Sequence, residues 1–317
     1  MNAAKRMIPL LIAWIILLIY FRMKVPGFLA RDNMIGLVEQ ISVNAIIACG
    51  MTYCILIGGI DLSVGAVLAL VGTVTVSVLN LGHPTDQSVL QLALAICAGL
   101  GVAALFGLFN GFCAAKTKMP PFIITLGSML VARGVALRIN ETPIRVPAQD
   151  SIFLAIGNAR IGGIVPVPVI IMLVLLALGA LLLHRTRFGQ HLYAIGGNRE
   201  AARFTGIAVG RAELTVYILC AVLTGVAGVI NASQLYSGEP NSGQGFELNA
   251  IAAAVVGGTS FTGGVGTIPG MLLGAVIIGT LDKGLNQAGV HFSLQYILKG
   301  LVILVAVYMD VRRKRQA

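Results

Sequence analysis

The chain has 317 residues, of which 57% are hydrophobic and 11% are charged, and its formal net charge is +10. A water-soluble domain carries about 25% charged residues, so this composition excludes an ordinary soluble protein and indicates a membrane protein. Membrane strands would alternate in polarity over about ten residues, whereas the apolar runs here are continuous and predict helices. The positive charge therefore bears on membrane orientation, and we expect lipid contact and no nucleic-acid partner.

About ten apolar segments follow one another, and each is interpreted as a membrane-crossing helix. They cover residues 7–21, 34–57, 62–80, 88–115, 119–139, 164–184, 212–232, 248–262, 267–281 and 292–309. The first resembles a signal peptide, but no small-residue cleavage site follows it, so it is read as a helix. The expected fold is all-α: one polytopic membrane helical bundle of about ten transmembrane segments, forming a single domain over residues 1–317.

Basic residues are spread unevenly over the loops between these segments. If the N-terminus is cytoplasmic, 13 of the 22 basic residues face the cytoplasm, including Lys5, Arg6, Lys118 and the tail 312–315. Short cytoplasmic loops carry an excess of Lys and Arg, so both termini are predicted to be cytoplasmic. The connection 139–163 is then expected outside, and the basic loop 185–211 inside.

The second apolar run is interrupted by Gly58, Gly59 and Asp61. Such residues are tolerated at membrane depth only against protein or a watery cavity, so a broken helix is predicted here. Asp61 precedes another apolar run, and its carboxylate can cap the free N–H groups of the next helix. Direct contact with a transported substrate is the alternative.

A gap-free shift of 205 residues reveals an internal repeat. It places Asn44 on Asn249 and the first glycine pair on Gly263 and Gly264, which predicts a second broken helix. Two interrupted apolar segments at corresponding places in the halves are typical of transporters. Whether the halves run parallel or inverted stays open.

The motifs of catalysis are missing from the sequence. No histidine has a helix-spaced carboxylate, and neither a GxSxG motif nor a P-loop of the form GxxxxGK[ST] is present. We therefore expect a non-enzymatic protein with no catalytic residue, no metal site and no cofactor.

Four ionisable residues fall within apolar segments: Glu39, Asp61, Arg133 and Lys299. Intramembrane charges can mark an ion pathway, so an ion-coupled secondary carrier for a small polar solute is an alternative function. For Lys299, pairing with a carboxylate or reaching the membrane surface is the simpler interpretation.

The loop 185–211 contains the signals of a short surface helix. A glycine pair ends the preceding helix, Asn198 is a good N-cap, and Gly206 is a good terminator. Such a helix could enter a groove on a soluble partner, or it could be a solvated connector. The residues assigned to it are Asn198, Arg199, Glu200, Ala201, Ala202, Arg203 and Gly206.

Several motifs resemble one known family over nearly the whole chain. They are NAI at 44–46, GMT at 50–52, GIDLSVG at 59–65, AIGGN at 194–198, ELNAIAA at 247–253 and GGTS at 257–260. In this order and spacing they are similar to the permease subunits of bacterial ribose-type ABC sugar importers. Permeases for xylose, arabinose and autoinducer-2 share the pattern, and ribose permeases are the nearest likeness.

The resemblance implies a multi-pass permease of the bacterial inner membrane that moves a small neutral sugar by alternating access. It implies three partners: a cytoplasmic ABC ATPase that hydrolyses ATP, a periplasmic sugar-binding protein, and a second permease subunit, usually an identical copy. By position, the helix at Asn198 to Gly206 matches the part of the family that contacts the ATPase. Asn44 and Asn249 offer amides suited to a hydroxylated ligand on the translocation path, although bonds between helices would use them equally well.

Overall fold

The computed structural model describes residues 3–81, 89–117, 119–147 and 152–315. Of the predicted cytoplasmic charges, Lys118 and the side chains of Lys5, Arg6 and 313–315 lie outside the described part. The helices are α1 (Ala3–Lys24), α2 (Arg31–Leu56), α3 (Val64–Leu79), α4 (Val89–Lys116), α5 (Pro121–Ile139), α6 (Ile152–Asn158), α7 (Val167–Arg185), α8 (Arg187–Gly197), α9 (Arg199–Phe204), α10 (Val209–Gln234), α11 (Phe246–Val256), α12 (Ile268–Gln287) and α13 (Phe292–Arg315). The strands are β1 (Ile144–Arg145), β2 (Arg160–Ile161), β3 (Val165–Pro166) and β4 (Ser237–Gly238).

Each predicted apolar segment overlaps a helix, but the predicted count of about ten crossings is not confirmed. Seven helices in the described ranges are long and apolar enough to cross a membrane: α1, α2, α4, α5, α7, α10 and α12. The apolar parts of α3, α11 and α13 are shorter than 18 residues. At 16 and 11 residues, α3 and α11 fall short of the roughly 20 residues that one crossing needs.

The helices around the two breaks form the centre of the bundle. Nearly every residue of α2 from Ile41 to Leu56 is buried, as expected for a helix that is apolar all round. Helix α10 packs closely on α4, where a Cβ added at Gly107 would lie 2.8 Å from the Cα of Ile218. Small residues at such crossings let helix backbones approach in lipid. The outer faces of α1, α4, α5 and α7 expose large apolar side chains, as lipid contact requires.

The connection expected outside the membrane has structure of its own. Strand β1 pairs antiparallel with β4, with Ile144 opposite Gly238, and β2 pairs with β3. The first pair joins this connection to the chain between α10 and α11.

The second helix break differs from the prediction. Helix α11 ends at Val256. The chain leaves the helix at Gly258, whose φ is +90°. There the N–H of Gly258 donates to Val255 O, and the N–H of Thr259 donates to Ala254 O. Gly58, with φ +78°, makes the equivalent bond to Ile55 O at the end of α2. Glycine adopts this left-handed conformation without strain, which is why it ends helices.

The gap-free register is therefore wrong across the break. The first break spans 57–63 and the second spans 257–267, so the second is four residues longer. Gly263 and Gly264 lie inside this longer loop rather than at the end of α11. They too have positive φ, +84° and +75°, but they serve a contact described below.

Candidate functional site

A cavity of about 270 Å³ lies between α2, α10, α11, α12 and α13, at one end of the bundle. Its lining contains four glutamines and the four asparagines Asn44, Asn231, Asn249 and Asn286. Each amide offers both donors and an acceptor, which suits a ligand that carries several hydroxyl groups. The volume falls just below the usual range of small-molecule sites, about 300–1,000 Å³.

The structure brings the two predicted path residues, Asn44 and Asn249, to this one cavity. Asn44 lies at the middle of α2, and Asn249 lies in the first turn of α11. The Oδ1 atom of Asn44 is buried and has no hydrogen-bond partner among the described residues. In the described structure, therefore, no helix-to-helix bond uses this oxygen.

An ion pair also lines the cavity. Lys299 on α13 approaches Asp282 on α12 at 2.9 Å between Nζ and Oδ2, so the predicted pairing of Lys299 with a carboxylate is present. Sequence reasoning placed Asp282 in a loop beyond its helix and missed it as a cavity residue. The four-residue spacing of Asp282 and Asn286 along one helix end was a usable signal, because residues four apart share a face.

Asp61 lies in a different buried place, away from the cavity. It is 1% exposed, and its Oδ1 accepts hydrogen bonds from the N–H and Oγ of Ser63, at 2.9 and 2.5 Å. Asn110 donates to Ser63 Oγ at 3.1 Å, and Ser128 donates to Asn110. The Asp61 carboxylate therefore binds Ser63, the residue before α3, and not the N–H groups in the first turn of α3. Through Ser63, Asn110 and Ser128, this chain of hydrogen bonds connects the start of α3 to α4 and α5.

The other intramembrane charges also have partners. Arg160 donates to Glu39 at 3.2 Å, and Arg133 donates to the backbone oxygens of Pro240 and Ser242. Charges that are bound in this way hold loops against helices.

At the opposite end of the bundle, helix α9 has the bounds and the cap that the sequence predicts. The side chain of Asn198 accepts a hydrogen bond from Ala201 N–H at 3.0 Å, and Gly206 has φ +85°. Ala202 is buried against the bundle, while Glu200 and Arg203 are exposed. Phe204 is 87% exposed, so α9 presents an aromatic ring and charges of both signs to its surroundings.

Sequence reasoning missed the residue that fixes α9 to the bundle. Arg199 forms an ion pair with Glu213 in the first turns of α10, whose side chain is 4% exposed. The Glu213 carboxylate accepts this hydrogen bond and raises the pKa of the Arg199 guanidinium further above its usual range. A carboxylate early in an otherwise apolar helix, 14 residues after an arginine, was the available signal.

Three glycine-rich turns meet where α8 ends, and we call this contact the glycine junction (Leu56, Gly196 and 263–264). Gly264 N–H donates to Leu56 O at 2.9 Å, joining the second break to the end of α2. A Cβ at Gly196 would overlap the Leu56 carbonyl oxygen and lie 2.9 Å from the Cα of Gly264. The loop that carries α9 therefore contacts both helix breaks directly.

Tyr193 adds a hydrogen bond beside the glycine junction. Its hydroxyl donates to the backbone oxygen of Gly266 at 2.7 Å. Burial raises the pKa of this phenol, so it stays protonated and able to donate at neutral pH.

Apolar helices of membrane-spanning length, a polar cavity at one end of the bundle and a charged surface helix at the other define an integral membrane transport protein. The family model described as the permease component of branched-chain amino acid transport systems matches residues 33–307. The ribose import permease protein RbsC of Bacillus subtilis is 43% identical over 92% of this chain and 88% of its own length. RbsC of Escherichia coli K12 is 41% identical over 96% and 93%, and the L-arabinose permease AraH of the same strain is 38% identical over 97% and 91%.

The chain belongs to the family of ribose-type ABC sugar permeases. It is an integral inner-membrane protein and a transport component rather than a catalyst.

Proposed function

We propose that this permease moves ribose or a closely related neutral monosaccharide through the bundle by alternating access, powered by a separate ATPase. The cavity lined by eight amide side chains carries this proposal, because such a lining can bond every hydroxyl of a small sugar without attracting ions. The names of the relatives, which are ribose and arabinose permeases, support the substrate class. Asn44 and Asn249 lie on the proposed translocation path.

In this proposal, α9 contacts the ATPase and transmits the conformational change of the ATPase to the permease. Arg199 of α9 is ion-paired to Glu213 at the start of α10, and Asn231 near the end of α10 lines the cavity. A helix rises 1.5 Å per residue, so these two positions on α10 are roughly 27 Å apart along one rigid element. Movement of α9 is thereby transmitted along α10 to the cavity, while the glycine junction transmits it to the two breaks.

The proposed assembly is compatible with this route. The whole chain, 1–317, acts as one transmembrane domain with a cytoplasmic coupling loop at 185–211 and both termini in the cytoplasm. A periplasmic sugar-binding protein delivers the sugar at the cavity end, and an ABC ATPase binds the α9 end. A second copy of the permease completes the pathway. The basic side chains of the loop and the distance between the two ends support this orientation.

Reconstitution tests the proposal. Permease and ATPase are placed in proteoliposomes, with the binding protein and radiolabelled ribose added on the side where the cavity opens. We expect sugar to accumulate against its gradient only with ATP. Asn249→Ala should slow uptake strongly, whereas Asn80→Ala, an amide at the far end of α3 that does not line the cavity, should leave it unchanged. Uptake driven by an ion gradient without the ATPase would instead establish a secondary carrier.

The coupling role of α9 has its own test. Glu200→Lys reverses an exposed charge on α9 that makes no hydrogen bond or ion pair with the described residues, so the variant should insert and fold normally. We expect it to lose the ATP hydrolysis that transport stimulates. Normal coupling in this variant would show that α9 is only a connector.

A further inference from the structure

Among the described residues, Asp282 and Lys299 are the two charged ones that line the amide cavity. Their opposite charges lie 2.9 Å apart, so the lining carries no net charge. A phosphorylated sugar or an amine would gain little net attraction from this neutral pair and would lose its hydration, whereas a neutral ligand has no charge to desolvate. The pair thus suits a cavity for neutral molecules.

Only one of the two carboxylate oxygens of Asp282 takes part in this ion pair. Its Oδ2 accepts from Lys299, whereas its Oδ1 is buried and has no partner among the described residues. Asp282 as a whole is 9% exposed. A buried acceptor without a donor is unfavourable, and a donor supplied by a ligand relieves it. An ionised carboxylate forms particularly short and strong bonds with hydroxyl groups.

Neighbouring acceptors and donors complete a site around this oxygen. Asn286 lies one helical turn further along α12, and Gln295 lies one turn before Lys299 on α13. Both line the same cavity. Asn44, across from them on α2, has a second buried oxygen without a partner among the described residues. A ligand with at least two donors would satisfy both acceptors at once.

We propose that Asp282 is a specificity-determining residue that accepts a hydrogen bond from one hydroxyl of a neutral sugar, while Lys299 orients its carboxylate. The inference rests on the proposed function and names a residue that recognises a hydroxyl group of the substrate. It assigns to the cavity a neutral ligand with adjacent hydroxyls. A small rearrangement of the side chain, of the kind that alternating access provides, brings Oδ1 to the ligand.

A purely structural role makes a different prediction. Helix α13 also packs on α11, and its Asp310 accepts hydrogen bonds from Ser260 and Phe261, so the ion pair would then serve only as one more contact that holds α13 in place. In that case removing the carboxylate slows the uptake of every sugar by the same factor. If Asp282 binds a hydroxyl group, removing the carboxylate slows the uptake of sugars that carry this hydroxyl more than the uptake of sugars that lack it.

The test combines variants of the protein with variants of the sugar. Proteoliposomes with wild-type or Asp282→Asn permease, the ATPase and a saturating binding protein take up ribose or each of its monodeoxy analogues. We expect one analogue to enter wild-type vesicles about 10- to 100-fold more slowly than ribose, the range for a bond to a charged group. The Asp282→Asn permease keeps only an uncharged acceptor, so the difference between this analogue and ribose should shrink markedly, because non-additive losses identify groups in contact.

Controls separate the possible failures. The double variant Asp282→Asn/Lys299→Gln leaves no unpaired charge in the cavity and should show the same loss of discrimination. Glu39→Gln removes a carboxylate that bonds Arg160 outside the lining, and it should keep the wild-type preference. Equal discrimination by wild type and both Asp282 variants would overturn the inference and leave the proposed function standing. Absence of ATP-driven sugar uptake by the wild type would overturn both.

Discussion

Replacing Gly196 by alanine tests the glycine junction, and the adjacent Gly197 provides a matched control. Both residues lie at the end of α8, and neither has a positive φ. A Cβ at Gly196 would overlap Leu56 O and lie 2.9 Å from the Cα of Gly264. A Cβ at Gly197 would meet no atom within 4 Å. The two substitutions therefore change local chain entropy alike and differ in tertiary contact.

The expected magnitudes follow from these contacts. Alanine in place of helical glycine gains about 0.5–1 kcal/mol in either position. At Gly196 the added methyl group must displace backbone, which costs about 1–3 kcal/mol, and it strains the bond from Gly264 to Leu56, worth about 1 kcal/mol. We therefore expect Gly196→Ala to be less stable than Gly197→Ala by roughly 2–4 kcal/mol, the sum of these two terms.

Thermal unfolding of the purified permease in lipid nanodiscs measures the difference. Gly196→Ala should unfold at a clearly lower temperature than wild type, and Gly197→Ala at the same or a higher one. ATP-driven uptake should fall in the first variant and persist in the second, because the junction links the α9 loop to both breaks. Equal melting temperatures of the two variants would refute the close contact, and normal uptake by Gly196→Ala would refute its part in transport.

Three further substitutions probe other contacts. Asn198→Ala removes the cap of α9 and should destabilise that helix by about 1 kcal/mol, seen as faster amide hydrogen exchange, while Asn198→Asp should retain protection. Arg199→Ala leaves the Glu213 carboxylate buried without its cation and should lower the free energy of unfolding by about 1–3 kcal/mol. Adding Glu213→Gln should recover part of this loss, and a strictly additive pair would contradict the ion pair. The indole N–H of Trp14, the single tryptophan, donates to Thr280 Oγ1 at 3.1 Å. Thr280→Val removes this acceptor and should shift the tryptophan fluorescence. An unchanged spectrum would contradict the packing of α1 on α12.

The features that the sequence predicted well depend on residues that are close together in the chain. An apolar run of sufficient length forms a helix in lipid because its backbone groups can bond only within the segment. The cap and the terminator of the short helix α9 were predicted correctly, because an asparagine cap and a terminal glycine act within one or two turns. The family was equally accessible, since its motifs are short and occur in fixed order.

Other features depend on tertiary structure, because they join residues that are far apart in the chain. The amide cavity assembles from five helices, and helices that are apolar on every side give no periodic signal of which face meets which neighbour. The same lack of a signal concealed the pairing of Asp282 with Lys299 and of Arg199 with Glu213. The second helix break was misplaced because two glycine pairs are equivalent in sequence, and only the packing decides which one ends the helix. In this protein, then, the sequence by itself determined the helices and the family, whereas the tertiary structure decided how their polar residues meet.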